Sequence, residues 1–237
     1  MIEIEGKQVF TELAELVSPD HAALVLIDMQ RDFLDPDGAL GLLGVDLGMY
    51  PAMRPRLARL LHAAREAAVP VVHVQMTTLP GRASDSPAQL RFNLRMHAAA
   101  RAGGPALRHT ELGTPGHEFA EEFQPLPGEF VVPKWRSSAF FGTNLDLLLR
   151  SNGIQAVLVT GCTTEGCVES TARDAMFSDY YVVLVEDCVA SDDPRQHEAS
   201  LSLMRHRFDL ADSSEITRLW LAEKLDPAAL AQRSAVE

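Results

Sequence analysis

The chain has 237 residues, of which 46% are hydrophobic, and its formal net charge at pH 7 is −12. This length and apolar content suit the core of one α/β domain, so we expect a single domain over residues 1–237. An acidic surface repels phosphate backbones, which argues against nucleic acid as a partner. No apolar run reaches the roughly 18 residues that a membrane span requires, so we expect no membrane partner either.

The cysteine content indicates the redox state of the cellular compartment. Three cysteines are a low and odd number, which suits free thiols in a reducing environment better than a disulfide framework. The N-terminus, Met-Ile-Glu-Ile-Glu-Gly-Lys, has no basic stretch followed by an apolar one, so it lacks the pattern of a secretory signal. We therefore expect a cytoplasmic protein.

Short apolar runs alternate with helical patterns along the chain. Several runs are apolar at every position, which is typical of parallel strands covered on both faces. The predicted strands are residues 22–27, 69–74, 130–132, 156–159, 181–185 and, more weakly, 208–211. The predicted helices are residues 53–67, 88–101, 144–151, 168–178, 194–206 and 214–224. This alternation predicts an α/β fold with three α/β/α layers and a six-stranded, mostly parallel, doubly wound sheet.

The connection after the second predicted strand is unusually long. Residues from about 76 to 128 form an insertion rich in glycine and proline. An insertion of that length inside a compact domain is typically a lid or a binding loop. The segments 1–20 and 226–237 have the character of terminal arms.

Three chemically active residues lie near predicted strand ends, which in such sheets meet at the ligand-binding edge. Asp28 follows an apolar strand, where a carboxylate is costly to bury without a partner; its alternative role is to cap the next turn. Lys134 could simply extend to solvent, but a cation beside a thiol lowers the thiol pKa. Cys167 lies where a loop becomes a helix, and N–H groups there favour a thiolate. A free cysteine is, however, more often a packed apolar side chain.

The sequence around these residues resembles a known family. The three blocks are Leu-Ile-Asp28-Met-Gln-Arg-Asp-Phe, Val-Pro-Lys134-Trp-Arg-Ser-Ser-Ala-Phe and Thr-Gly-Cys162-Thr-Thr-Glu-Gly-Cys167-Val-Glu-Ser-Thr-Ala-Arg. In this order they resemble the isochorismatase-like cysteine hydrolases, and the similarity runs over residues 22–213. The resemblance implies the family's six-stranded fold, a catalytic triad of Asp28, Lys134 and Cys167, and a cis peptide bond between Cys162 and Thr163.

The chemistry that this resemblance implies is acyl transfer through sulfur. Asp28 takes the proton of Cys167, Lys134 stabilises the thiolate, and the sulfur attacks an amide or carbamoyl carbonyl. The cis bond would turn the N–H of Thr163 toward that of Cys167, and the two would form an oxyanion hole. A thioester forms, the amine leaves, commonly as ammonia, and water then hydrolyses the thioester.

Other residues indicate which branch of the family the chain resembles. Nicotinamidases bind a metal through an Asp-x-His pair after the second strand, but this chain reads Val-His73-Val-Gln75 there. We therefore predict no metal and no other cofactor, with His73 in the core. The retained cysteine favours C–N hydrolysis over the vinyl-ether cleavage of isochorismatases proper.

The expected substrate is a small linear amide or ureido compound. The loop around Cys167 resembles that of N-carbamoylsarcosine and maleamate amidohydrolases, whereas residues 138–141 and the insertion resemble ureidoacrylate amidohydrolases. The predicted substrate contacts are Phe33, Gln75, Trp135, Phe140 and Phe141, and core packing is the alternative for each ring. A substrate carboxylate would need a cation, for which the candidates are Arg82, Arg91, Arg95 and Arg136.

Three alternatives stay open at this point. The chain could be a non-catalytic relative that binds a metabolite, or it could have isochorismatase- or nicotinamidase-type activity. Cys162 and Cys167 are also close enough in sequence to form a redox pair. The resemblance further implies a homodimer or homotetramer.

Overall fold

The computed structural model describes residues 1–96 and 109–225. Its strands are β1 (Ile2–Ile4), β2 (Lys7–Val9), β3 (Ala22–Ile27), β4 (Val71–Met76), β5 (Phe130–Lys134), β6 (Ala156–Cys162), β7 (Tyr181–Ala190) and β8 (Asp209–Ala211). The longer helices are Tyr50–Glu66, Pro87–Met96, Leu145–Ser151, Glu169–Phe177, Pro194–Met204 and Ser213–Leu225. The end of the predicted helix 88–101 and the predicted arm 226–237 lie outside the described residues.

Six of the strands form one sheet in the order β5-β4-β3-β6-β7-β8. Every neighbouring pair in it is parallel, so the predicted doubly wound sheet is confirmed and is parallel throughout. The chain order reverses between β3 and β6, and this switch point is where such sheets form ligand sites.

Side chains that alternate along β3 divide the core into two apolar layers. All six residues of this strand are buried. Leu24 and Leu26 belong to a cluster that includes the buried face of helix Tyr50–Glu66. Val25 belongs to the opposite cluster, with buried residues of helix Glu169–Phe177. Since both faces are covered, the strand is apolar at every position rather than at alternate ones.

Strands β4, β5 and β6 extend further toward their carboxyl ends than the apolar pattern predicted. Gln75 and Met76 pair with Pro133 and Lys134, so Gln75 and Lys134 lie within strands rather than after them. The sixth strand likewise continues to Cys162. Backbone groups make the ladder hydrogen bonds, and a polar side chain therefore does not end a strand.

The predicted N-terminal arm contains structure of its own. Strands β1 and β2 form an antiparallel hairpin, and the Phe10 ring stacks on His21 with ring centroids 4.6 Å apart. Further along, the indole N–H of Trp220 donates to the carbonyl of Val17 at 2.7 Å. These contacts attach the segment before β3 to the domain.

No helix among residues 1–96 and 109–225 combines the length and the apolar character that crossing a membrane would require.

Candidate active site

Asp28 is the first residue after β3, and its side chain has no exposed surface. Its backbone has a positive φ of 57°, and its N–H donates to the carbonyl of Val74 at 3.0 Å. The Oδ1 atom accepts the N–H of Met76 at 3.1 Å. The neighbouring strand β4 therefore fixes both the backbone and the carboxylate of Asp28.

Lys134 is the last residue of β5 and is fully buried, so it does not extend to solvent. Its Nζ lies 2.9 Å from Asp28 Oδ2 and 3.0 Å from Cys167 Sγ. It also donates to the carbonyls of Arg136 at 3.1 Å and Ser137 at 3.0 Å. The ammonium group thus joins the carboxylate and the thiol, and the loop after β5 wraps around it.

Cys167 lies in a π-helical turn, Thr164–Val168, directly before helix Glu169–Phe177. Its carbonyl accepts the hydroxyl of Thr171 at 2.7 Å, and that hydroxyl accepts the N–H of Ala139 at 3.0 Å. These bonds connect the turn that carries the sulfur to the loop that follows Lys134. The three residues of the predicted triad therefore meet at the carboxyl edge of the sheet.

Burial governs the electrostatics of this cluster. Desolvation raises the pKa of Asp28, although Lys134 opposes the rise. Desolvation lowers the pKa of Lys134, but the negative charges of Asp28 and Cys167 outweigh it and the net shift is upward. Desolvation raises the pKa of Cys167 to about 12, against the attraction of Lys134. Burial and the attraction of Lys134 thus act in opposite directions on the pKa of the Cys167 thiol, and burial has the larger effect.

The predicted cis peptide bond between Cys162 and Thr163 is confirmed. The N–H groups of Gly166 and Val168 donate to the carbonyl of Thr163 at 3.1 Å. Among the described residues, no backbone hydrogen bond outside the helices and strands uses the N–H of Thr163 or of Cys167. The oxyanion role of these two N–H groups stays a prediction.

Gly161 is a site residue that the sequence analysis did not single out. Its φ is +110°, and a Cβ atom placed there would lie within 2.1 Å of the carbonyl oxygen of Ile27. Glycine therefore allows β6 to approach β3 directly before Asp28. The Thr-Gly that ends the predicted strand was the only signal for it in the sequence.

Gln30 and Asp32 were also missed, and both attach the long insertion to the site. Gln30 is fully buried; its amide donates to the carbonyls of Met76 at 2.9 Å and His117 at 2.8 Å. The Asp32 carboxylate accepts the N–H of Ala39 at 2.9 Å and that of Thr110 at 2.5 Å. Two polar residues in the run that follows Asp28 were the available signal.

The predicted substrate contacts lie at different depths. Phe33 is buried edge-on to His109, with centroids 6.0 Å apart, and Phe140 packs against Tyr180 at 5.8 Å. The Gln75 amide donates to the carbonyl of His117 at 2.9 Å. Trp135 is half-buried, whereas Phe141 is 66% exposed. Contact of any of them with substrate stays a prediction.

No group of three or more His, Cys, Asp or Glu side chains that could hold a metal ion occurs among residues 1–96 and 109–225. His73 is fully buried, and its Nε2 lies 2.8 Å from a carboxylate oxygen of Glu129. Burial lowers the pKa of His73, as expected for a core histidine. The absence of a metal and of any other cofactor remains a prediction.

All three cysteines are free, and two of them are fully buried. The thiol of Cys162 donates to the carbonyl oxygen of Asp28 at 3.5 Å, so it packs against the backbone of the site. Burial raises the pKa of this thiol well above its ordinary value. Cys162 is therefore a packed thiol in this structure, and the redox pair stays an untested alternative.

Most of the chain matches a known domain family. Residues 22–215 match the family model of the isochorismatase domain, and this range contains Asp28, Lys134 and Cys167. The chain belongs to the isochorismatase family. Its six-stranded parallel sheet matches the fold of isochorismatase-like hydrolase structures.

Individual members of the isochorismatase family show the same similarity. Ureidoacrylate amidohydrolase RutB of Cronobacter turicensis is 32% identical over 223 residues, which cover 91% of this chain and 93% of that protein. N-carbamoylsarcosine amidase of Thermoplasma acidophilum is 28% identical with a TM-score of 0.62, over 81% of this chain and 96% of that one. An isochorismatase-like hydrolase from Alkaliphilus metalliredigens is 26% identical with a TM-score of 0.67, over 84% and 99%. Family and relatives together make this chain an amidohydrolase.

Proposed function

We propose that this amidohydrolase cleaves the C–N bond of a small linear amide or ureido compound through a thioester at Cys167, releasing ammonia. The observation that carries the proposal is the position of Lys134 Nζ, 2.9 Å from Asp28 and 3.0 Å from the Cys167 sulfur. A nucleophile, a base and a buried cation in contact are the equipment that acyl transfer requires. The names of the relatives, ureidoacrylate amidohydrolase and N-carbamoylsarcosine amidase, support a ureido or amide substrate.

The first half of the reaction forms the thioester. The thiol proton of Cys167 moves to Asp28 as the sulfur attacks the substrate carbonyl, and Lys134 stabilises the developing thiolate. The N–H groups of Thr163 and Cys167 donate hydrogen bonds to the oxyanion. Each donor of this kind typically lowers the barrier by about 3–4 kcal/mol. The C–N bond then breaks, and Asp28 returns the proton to the leaving nitrogen, which departs as ammonia.

The second half regenerates the thiol. A water molecule gives a proton to Asp28 and attacks the thioester carbonyl. The C–S bond breaks, and the sulfur recovers its proton from Asp28. An amide yields a carboxylic acid, and a ureido compound yields a carbamate. One carboxyl thus serves as base and acid in turn, a role for which a pKa raised toward neutrality is suited.

The test is ammonia release from a panel of primary amides and ureido compounds. Cys167→Ala should abolish the release, whereas Cys162→Ala, which removes the neighbouring buried thiol, should retain most of it. Acid quenching during turnover should leave an adduct of the acyl or carbamoyl portion on Cys167, detectable by mass spectrometry. Ammonia release that survives Cys167→Ala would contradict the proposal. Binding of panel compounds without turnover by the wild-type protein would favour a non-catalytic relative.

A further inference from the structure

Gln30 is a fully buried polar residue that the proposed reaction steps leave without a role. Its Oε1 atom accepts the N–H of Met76 at 2.8 Å. Its Nε2 atom donates to the carbonyls of Met76 at 2.9 Å and His117 at 2.8 Å. Because the acceptor and both donor hydrogens of the amide are engaged, these bonds hold the Gln30 side chain in one orientation.

The N–H of Met76 is shared between Gln30 and the base of the triad. Asp28 Oδ1 accepts it at 3.1 Å, whereas Gln30 Oε1 accepts it at 2.8 Å. One hydrogen is thus divided between two acceptors, and the shorter bond goes to the neutral amide. Among the described residues, Met76 is the only backbone donor to the Asp28 carboxylate. Gln30 therefore competes with Asp28 for that donor.

This competition affects the basicity of Asp28. A hydrogen bond from an N–H group stabilises an ionised carboxylate and lowers its pKa. Burial raises the pKa of Asp28, whereas Lys134, Cys167 and the N–H of Met76 lower it. When part of the Met76 hydrogen bond goes to Gln30, the carboxylate loses some of that stabilisation. Asp28 is then the better proton acceptor, which is what general base catalysis needs.

The long insertion holds Gln30 in this position. Its side chain donates to the carbonyl of His117, and its backbone forms an antiparallel bridge with Phe119. The N–H of Arg31, the next residue, donates to the carbonyl of Glu118 at 3.0 Å. The insertion therefore reaches the base of the triad through Gln30.

We infer that Gln30 is a positioning residue for the base: it takes the larger share of the Met76 N–H and so keeps Asp28 a stronger proton acceptor than it would be with that donor to itself. The inference rests on the proposed function, in which Asp28 moves the protons. The titratable groups that face Asp28 from other elements are Lys134 of β5, Cys162 of β6 and Cys167 of the π-helical turn. A substitution of Gln30 leaves these three side chains unchanged.

The experiment follows the acid limb of the pH profile of kcat/KM, whose midpoint reports the base of the free enzyme. Gln30→Met keeps the length of the side chain but removes the amide oxygen. It should lower the midpoint by about 0.5–1 pH unit, because the Met76 N–H then goes to Asp28 alone. Gln30→Glu loses the same amide donors but keeps an acceptor oxygen. Its midpoint should stay in place or rise, since any charge on the new carboxyl repels that of Asp28.

Gln75→Met is the matched control for the contact with the insertion. It removes the other amide that donates to the carbonyl of His117, but it leaves the hydrogen bond between Gln30 and Met76 intact. Its acid midpoint should equal that of the wild type, whatever happens to KM. A midpoint that stays or rises in Gln30→Met, or that falls equally in Gln30→Glu or Gln75→Met, would overturn the inference.

Two NMR measurements need no substrate and separate this inference from the proposed function. The first is a titration of the Asp28 carboxyl carbon, assigned by the loss of its resonance in Asp28→Asn. A lower midpoint in Gln30→Met supports the inference even if no compound of the panel is hydrolysed. Hydrolysis with an unchanged midpoint removes the inference and leaves the proposed function standing.

The second measurement uses the wild-type protein and decides the matter if Gln30→Met fails to fold. The resonance of the Met76 amide proton should move little while Asp28 titrates, because Gln30 holds the larger share of that hydrogen. A large movement would show that Asp28 is the main acceptor, and the inference would then be wrong.

Discussion

Lys134 and Asp28 form an ion pair of 2.9 Å in which neither side chain has any exposed surface. Removing one member of such a pair leaves an uncompensated buried charge, which typically costs about 3–5 kcal/mol of stability. Breaking a pair of this kind is therefore expected to destabilise the fold, and in the proposed mechanism the pair serves the chemistry of Cys167.

Asp28→Asn and Lys134→Met should each destabilise the protein and abolish hydrolysis. The double variant should be more stable than the sum of the single effects predicts, by at least about 1 kcal/mol, because neither charge is then left alone. Its activity should stay at least about 10³-fold below that of the wild type, since the base is absent. Urea denaturation and ammonia release measure the two quantities. Additive losses of stability would show that the pair is not coupled.

The pH dependence of kcat/KM should report Asp28. The carboxyl acts as a base only when ionised, and burial raises its pKa above the ordinary value of 3.8. Activity should therefore fall on acidification with a midpoint above 3.8. At the alkaline end the pKa of Lys134 is raised above 10.5, so no loss of its charge should appear below about pH 10. A pH–rate profile that loses activity near pH 8 would contradict this assignment.

Gly161→Ala should destabilise the protein far more than an ordinary glycine replacement. The new Cβ would meet the Ile27 carbonyl oxygen at 2.1 Å, in a backbone with φ of +110°. Gly153 is the matched control, because its φ is +69° and nothing lies within 4 Å of an added Cβ. We expect a cost of about 1 kcal/mol for Gly153→Ala and of more than about 3 kcal/mol for Gly161→Ala. Thermal or urea unfolding of both variants checks the difference.

Acidification should lower the free energy of unfolding through protonation of Glu129. Its carboxylate pairs with Arg65 at 2.7 Å and with His73 at 2.8 Å. Burial raises the pKa of Glu129, but the hydrogen bonds that its carboxylate accepts, most of all from Arg65, lower it more. The net result is a pKa that falls from 4.5 to about 2. Because the folded-state pKa is the lower one, this stabilisation is complete above pH 4.5 and is lost as the pH falls toward 2. The loss is on the order of 2 kcal/mol.

Glu129→Gln should reduce the stability at pH 6 and flatten its pH dependence over this acidic range. Denaturant unfolding at a series of pH values measures the slope. Glu121→Gln, at an exposed position, is the control and should leave the slope unchanged. An unchanged slope in Glu129→Gln would show that other carboxyl groups determine the acid sensitivity.

The sequence predicted the sheet well because strands buried on both faces are apolar at every position. Residues 22–27 show this most clearly, since the predicted and observed strand limits coincide. The carboxyl ends of β4 and β5 were placed too early, because the apolar runs stop before Gln75 and Pro133 whereas ladder pairing continues to Met76 and Lys134. The cis bond after Cys162 was predicted from the family resemblance alone.

The amino-acid sequence by itself determined the fold class and the three residues of the site, because apolar runs and chemically active side chains are properties of single segments. Only the tertiary structure decided the state of those residues. It placed Lys134 inside the protein rather than at its surface, and it gave the Cys167 thiol a desolvated environment that raises its pKa. Charge state depends on desolvation and on neighbours from distant segments, and both exist only once the strands have packed together.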